Sequence, residues 1–148
     1  MTISEALHQY LDAADVNEQT LQEVEKITHV REYNAGDIVF REDEASDHLY
    51  IVIAGQVDVQ YLLPSGKRQT FDTCNPGDFL CWSAVVRPHK TSSIGICRAK
   101  SAVIAMSGSG LRELSERDPH FGYHLQGQMA RVIRRRLQAA RKQIADLD

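Results

Sequence analysis

The residues best equipped for chemistry lie in one run of this chain. Asn75-Pro76-Gly77-Asp78-Phe79-Leu80-Cys81-Trp82-Ser83 is followed closely by Arg87-Pro88-His89-Lys90-Thr91-Ser92-Ser93. A Pro-Gly turn leads to an acid, then a short apolar stretch, then cations and small hydroxyls. Glycine lets backbone N–H groups approach an anion, lysine or arginine supplies charge, and hydroxyls donate. The acid suits a ribose hydroxyl, not a phosphate. Together these groups fit a ligand with one phosphate charge and a free 2′-OH, as a cyclic nucleotide has. The chemistry is recognition. Ser83 and Ser107 lack the Gly-x-Ser-x-Gly context, and no nucleophile–base pair can be read, so an enzyme is not expected.

Metal chemistry has less to stand on. His48 has no second histidine two residues on, so the ligand set of a metal-binding jelly roll is incomplete. Cys81 and His89 do not make a haem-ligand signature, and Cys74, Cys81 and Cys97 form no cluster for iron–sulfur or zinc. No metal and no cofactor is expected. Three unclustered cysteines suit a reducing cytosol, and a cytoplasmic location is expected.

The elements that must hold this run are readable from pattern. At 148 residues the chain reads as one domain, 1-148. A 25% share of charged residues and 43% hydrophobic ones are ordinary for a soluble globular protein. A net charge of -3 argues against strong whole-molecule attraction to nucleic acid. No apolar run approaches about 18 residues, so no membrane span is expected. The stretch Met1–Leu7 lacks the basic and apolar segments of a signal peptide. Residues 1-29 read as helices: Leu7, Leu11 and Ala14, then Leu21, Val24 and Ile27, recur at helical spacing, with Asn17 as a cap. Residues 30-107 are strand-rich. Leu49–Ile53 is an apolar β-branched run, Val57–Tyr61 alternates, and Leu62–Arg68 reads as a hairpin tip. Regular strand spacing predicts a small barrel or jelly roll, closed by Val103–Met106. Ser107-Gly108-Ser109-Gly110 reads as a break before a helical 108-148. Asp118-Pro119 marks a new helix from about residue 119. Along it Ala130, Ile133, Leu137, Ala140, Ile144 and Leu147 follow 3,4,3,4,3 spacing, a heptad seam. A small barrel cannot cover a seam this long, so a second copy in a parallel pair is expected; the other reading lays the helix across its own barrel. Arg131, Arg134, Arg135, Arg136, Arg141 and Lys142 read as the solvated face of that helix.

The order of these motifs resembles the cyclic-nucleotide-binding domain family, that of the catabolite-activator-type bacterial regulators. The pattern is Gly36-Asp37 before a strand, apolar Leu49–Ile53, a turn at Gly55, alternating Val57–Tyr61, Pro76-Gly77-Asp78 and a short helix. It extends over roughly residues 20 to 145. The resemblance implies a mainly β jelly roll with N-terminal helices and a long C-terminal helix that dimerises and closes over the ligand. In the family a Gly-Glu pair binds ribose and an arginine, followed by small residues, binds the phosphate. Gly77 matches the glycine and Asp78 stands for the glutamate. Lys90, followed by Thr91-Ser92-Ser93, aligns with the arginine, with Arg87 as the alternative. Phe79, Leu80 and Trp82 complete the expected ligand-binding set. Trp82 offers an indole to stack on a base, or serves as a core or lid residue. Arg131 or Gln128 could reach the ligand from the helix.

The implied function is a sensor of cAMP, cGMP or another small anion, signalling through its last helix. DNA-binding members carry a helix-turn-helix after that helix, and none follows here, so sequence-specific DNA binding by this chain is not expected. The competing reading is a module for dimerisation or for a protein effector, with a pocket that binds no cyclic nucleotide. Asp78 and Lys90 in place of glutamate and arginine favour it, because lysine lacks the bidentate fork of arginine.

Overall fold

The computed structural model describes residues 1–11 and 15–146. Two short helices lead in, α1 (Ile3–Tyr10) and α2 (Glu18–Lys26). Thr2 caps the first by accepting from Glu5 N, and Asn17 caps the second by accepting from Gln19 N. Each cap satisfies an N–H that the helix cannot satisfy itself. Leu7, Leu11, Leu21 and Val24 are buried, as their spacing requires. Ala14 lies outside the described residues.

Eight strands follow: β1 (Thr28–Tyr33), β2 (Ile38–Phe40), β3 (His48–Ala54), β4 (Val57–Leu62), β5 (Arg68–Cys74), β6 (Phe79–Leu80), β7 (Ile94–Cys97) and β8 (Ser101–Ser107). They form two four-stranded sheets, ordered β1-β8-β3-β6 and β2-β7-β4-β5, with antiparallel neighbours. This is the expected jelly roll, opening at residue 28 and not 30. Side-chain alternation gives each face its task. On β3, Tyr50 and Val52 point between the sheets and join Val57, Val59, Phe71, Leu80, Val103 and Ala105. Leu49 and Ile51 point the other way, into a second core with Leu7, Leu21, Ile104, Met106, Leu111, Phe121 and Leu125. A strand buried on both faces must be apolar throughout, which explains the unbroken run on β3. The turn into β4 needs glycine: Gly55 has φ +80, and a Cβ there would lie 2.3 Å from Ser101 Oγ.

The Ser107–Gly110 run is not a break. Ser107 caps helix α3 (Gly108–Arg117), its hydroxyl accepting from Gly110 N. The glycines are there for close packing. A Cβ on Gly108 would meet Ala84 O and Asp47 O at 3.1 Å, and one on Gly110 would meet Ile27 at 2.8 Å. Helix α4 (Pro119–Asp146) runs 28 residues, starting at the expected Asp118-Pro119, with Asp118 Oδ1 accepting from Phe121 N at 3.2 Å. It has two different faces. Phe121, Leu125, Gln128 and Met129 are buried, and Val132 packs on the same core. The seam faces away from that core. Ala130 is exposed, Ile133 and Ala140 are half-buried, Leu137 is 58% exposed and Ile144 66%. Leu147 lies outside the described residues. One face of the helix thus crosses its own barrel, one of the two readings the sequence offered, and the seam stays exposed. Among the described residues no helix is long and apolar enough to cross a membrane.

Candidate functional site

The Pro-Gly turn is built by its own backbone. Gly77 has φ +96, its N–H reaches Val52 O at 2.8 Å, and Asp78 N reaches Asn75 O at 2.9 Å. The Tyr10 ring of α1 lies against the turn, 3.1 Å from where a Cβ on Gly77 would stand. Asp78 is already engaged. Its Oδ2 accepts from Asn75 N at 2.8 Å, and its Oδ1 meets Arg135 Nη1 at 2.7 Å.

Beyond the turn the expected ligand residues separate. Phe79 belongs to the helix-side core and Leu80 to the barrel core, where it is fully buried. Cys81 takes a left-handed backbone, φ 63, and starts a single 3-10 turn at Trp82–Ala84. Trp82 is partly buried, its indole packed against the helix-side core. Lys90 points to Asp43, 3.9 Å away, with most of its side chain exposed. Thr91 is buried and its hydroxyl clips the β2–β3 loop: it accepts from Glu44 N at 3.1 Å and faces Arg41 O and Glu44 O. Ser92 is exposed. Arg87 lines a separate hollow with Pro88, His89, Arg112 and Glu116. Thr91 and Cys81 line another with Arg31, His48 and Tyr50. Asp78 and Arg87 line different hollows, and Lys90 turns to Asp43. The reason is that the hydroxyl and the acid are spent on holding loops.

What the turn does face is α4. A hollow of about 390 Å³ is lined by Tyr10, Gly77, Asp78, Gln128, Arg131 and Arg135, among others. Gln128 is 5% exposed, and its Oε1 is buried with no partner among the described residues. Gln128 and Arg131 thus line the same hollow as the Gly77-Asp78 turn.

Next to this hollow, α4 sends two guanidinium groups into the barrel. Arg136 has a side chain only 11% exposed, with its Nε 3.5 Å from Asp72 Oδ2. Its Nη2 donates to Phe79 O at 3.0 Å and contacts Cys74 Sγ at 3.7 Å. Arg135 donates to Asp72 Oδ1 at 3.0 Å and Oδ2 at 3.2 Å, as well as to Asp78. Asp72, itself 11% exposed, sits between both arginines. Burial works against the Arg135 charge, but Asp72 and Asp78 outweigh it and hold its pKa up. Burial pushes the Cys74 and Cys81 thiols up, so both stay protonated; the Arg136 charge only partly opposes this. Removing one partner of a buried ion pair leaves the other charge uncompensated, at about 3–5 kcal/mol, a cost that applies to the Asp72–Arg136 pair and less to Arg135, whose side chain is 44% exposed. The sequence reading placed Arg135 and Arg136 on a solvated face. The missed signal was a second periodic set, Gln128, Val132, Arg135 and Gln143, beside the seam. Gln143 reaches Thr70 O at 3.3 Å. Among the described residues no group of three or more His, Cys, Asp or Glu could hold a metal ion.

This architecture has known counterparts. A cyclic nucleotide-binding domain from Methylobacillus flagellatus KT superposes with a TM-score of 0.84 at 13% identity, covering 98% of this chain and 84% of that one. The Thermus thermophilus catabolite activator protein gives 0.71 at 18% identity, covering 93% and 62%. At the sequence level the CRP-like cAMP-activated global transcriptional regulator of Mycobacterium tuberculosis is 27% identical over 116 residues, 78% of this chain and 50% of that protein. The chain therefore spans about half the length of the curated relatives it first matches. Residues 30–118, most of the barrel with α3, match the cyclic nucleotide-binding domain family. With the jelly roll, the Pro-Gly turn and the long helix closing on the barrel all in place, the chain belongs to that family.

Proposed function

We propose that this chain is a cytoplasmic regulatory module, not an enzyme, in which whatever occupies the cleft between barrel and α4 sets the position of that helix. The observation that carries this reading is the cleft itself. The helix is tied there by polar groups, Arg135 and Arg136 against Asp72 and Asp78, beside a hollow large enough for a small ligand. Polar ties of this kind can be exchanged for ligand contacts, and a ligand with different affinity for the docked and lifted helix shifts the balance. The seam residues Ala130, Ile133, Leu137, Ala140 and Ile144 would carry that shift into a homodimer, and through it to an effector protein. By family, and by the name of the mycobacterial relative, cAMP is the first ligand to try, with cGMP beside it. Thermal unfolding with and without millimolar cAMP, cGMP and cyclic dinucleotides tests it. Ligand at about 100 times its dissociation constant stabilises by about 2.7 kcal/mol, a shift of several degrees. A shift with one nucleotide supports the sensor and names its ligand; no shift with any of them removes the nucleotide reading.

A second reading, a dimerisation or interaction module that binds no nucleotide, is favoured by one specific observation. Lys90 turns to Asp43 and Thr91 is consumed by a loop, leaving the cassette without its phosphate contacts.

A further inference from the structure

The barrel side of the α4 cleft has a chemistry opposite to that of an anion site. The groups it presents are acceptors: both oxygens of Asp72, Oδ1 of Asp78, the carbonyls of Thr73 and Phe79, and the Cys74 sulfur. What they surround is planar and cationic. Arg136 places its Nε toward Asp72 and its Nη2 on Phe79 O, two directions that a fork of N–H donors spans at once. Its side chain is as buried as the carboxylate it meets, 11% exposed on each side. Carboxylates facing a cleft repel a phosphate, and an acceptor wall gives a phosphate no donor once the arginines leave.

We propose that the α4-facing mouth of the barrel is a guanidinium-binding site whose resident occupant is Arg136, with Arg135 bridging its rim. The chain carries its own ligand, and a free guanidinium compound is the chemistry that can take its place. This inference does not depend on the nucleotide reading, which concerns a ligand in the neighbouring hollow. It accounts for an aspartate in the middle of β5, between Phe71 and Thr73.

The test is chemical rescue. Arg136→Ala should melt several degrees below the wild type, because it deletes one partner of a buried pair and leaves Asp72 and Phe79 O with fewer donors. Millimolar ethylguanidinium should raise the melting temperature of Arg136→Ala while leaving the wild type unmoved. Ethylammonium, with the same charge but no planar fork, should raise it less. Adding Asp72→Asn to Arg136→Ala should abolish the rescue. Equal effects of ethylguanidinium on wild type and variant would overturn the proposal, as would equal rescue of the variant by ethylammonium. If Arg136→Ala does not fold, Arg136→Lys is measured instead. It keeps the charge, and a melting temperature equal to that of the wild type would show that no guanidinium geometry is being read. Nucleotide shifts on the wild type are a separate measurement, so the failure of one idea does not hide the fate of the other.

Discussion

Asp118 joins two helices through one carboxylate. Its Oδ1 accepts from Phe121 N at the start of α4, and its Oδ2 accepts from the Thr20 hydroxyl of α2 at 2.7 Å. The Thr20 bond, then the Phe121 N–H, favour the ionised form and hold its carboxyl below the usual range. Asp118→Ala should lose about 1 kcal/mol at neutral pH, the ordinary worth of a helix cap. The folded pKa is depressed, so the contribution is complete above the unfolded value of about 3.9 and fades as pH falls through the folded one. Wild type and variant should differ in urea midpoint at pH 7 and converge in acid; a gap that stays constant with pH would contradict the assignment. This residue was legible in the sequence because capping is local: an Asp-Pro pair ahead of an uninterrupted helical pattern fixes both role and partner. Arg136 was not legible. Its partners, Asp72 and Phe79 O, are 64 and 57 positions away, and nothing in the spacing of α4 says which strand residue will lie beneath it.

At the scale of elements, α4 carries two faces with opposite expectations. Met129 is fully buried in the helix-side core, while Leu137 is 58% exposed on the seam. Met129→Ala should cost about 2–5 kcal/mol, the range for a large-to-small change in a packed core, and lower the melting temperature whatever the protein concentration. Leu137→Glu should leave the barrel's stability nearly unchanged and, under the proposed pairing of two copies through the seam, give a monomer in sedimentation where the wild type gives a dimer. A wild type already monomeric at high concentration would remove the seam's assigned role. The heptad set stood out in the sequence because it is apolar in a polar neighbourhood. The barrel-facing set was hidden because half of it is charged, and charge on a helix ordinarily means solvent. The same logic explains the Ser107–Gly110 run. Small flexible residues usually mark a turn, but here Gly108 and Gly110 are small because Ala84, Asp47 and Ile27 press against them.

For the whole molecule, two cores share one sheet. The strands β3 and β8 send alternate side chains into the barrel and into the helix layer, so the packing of one core constrains the other. The three cysteines, all buried and free, report on this arrangement. Burial raises all three thiol pKa values, so a thiolate-seeking reagent should find none of them in the native protein. Cys74 lies under Arg136. Its modification rate at pH 8 should rise selectively when α4 is loosened by Arg136→Ala, with Cys97 still protected; simultaneous labelling of all three would mean global unfolding and no separate helix movement. The jelly roll itself could be read from the chain, since its strands alternate, its turns carry glycine, and their order is distinctive. The assembly of the site could not, because it depends on which loop spends which hydroxyl. The strand order has one more consequence. β1 pairs with β8 from Thr28↔Met106 to Tyr33↔Ser101, so the first strand stays without that neighbour until almost the last of the barrel has been made. During synthesis, then, the nascent chain exposes an open strand edge for most of its length. Closure waits on a distant segment, a slow kind of contact to form, and α4 can dock only after that. A chain caught before α4 docks would present Asp72 and Asp78 unmatched.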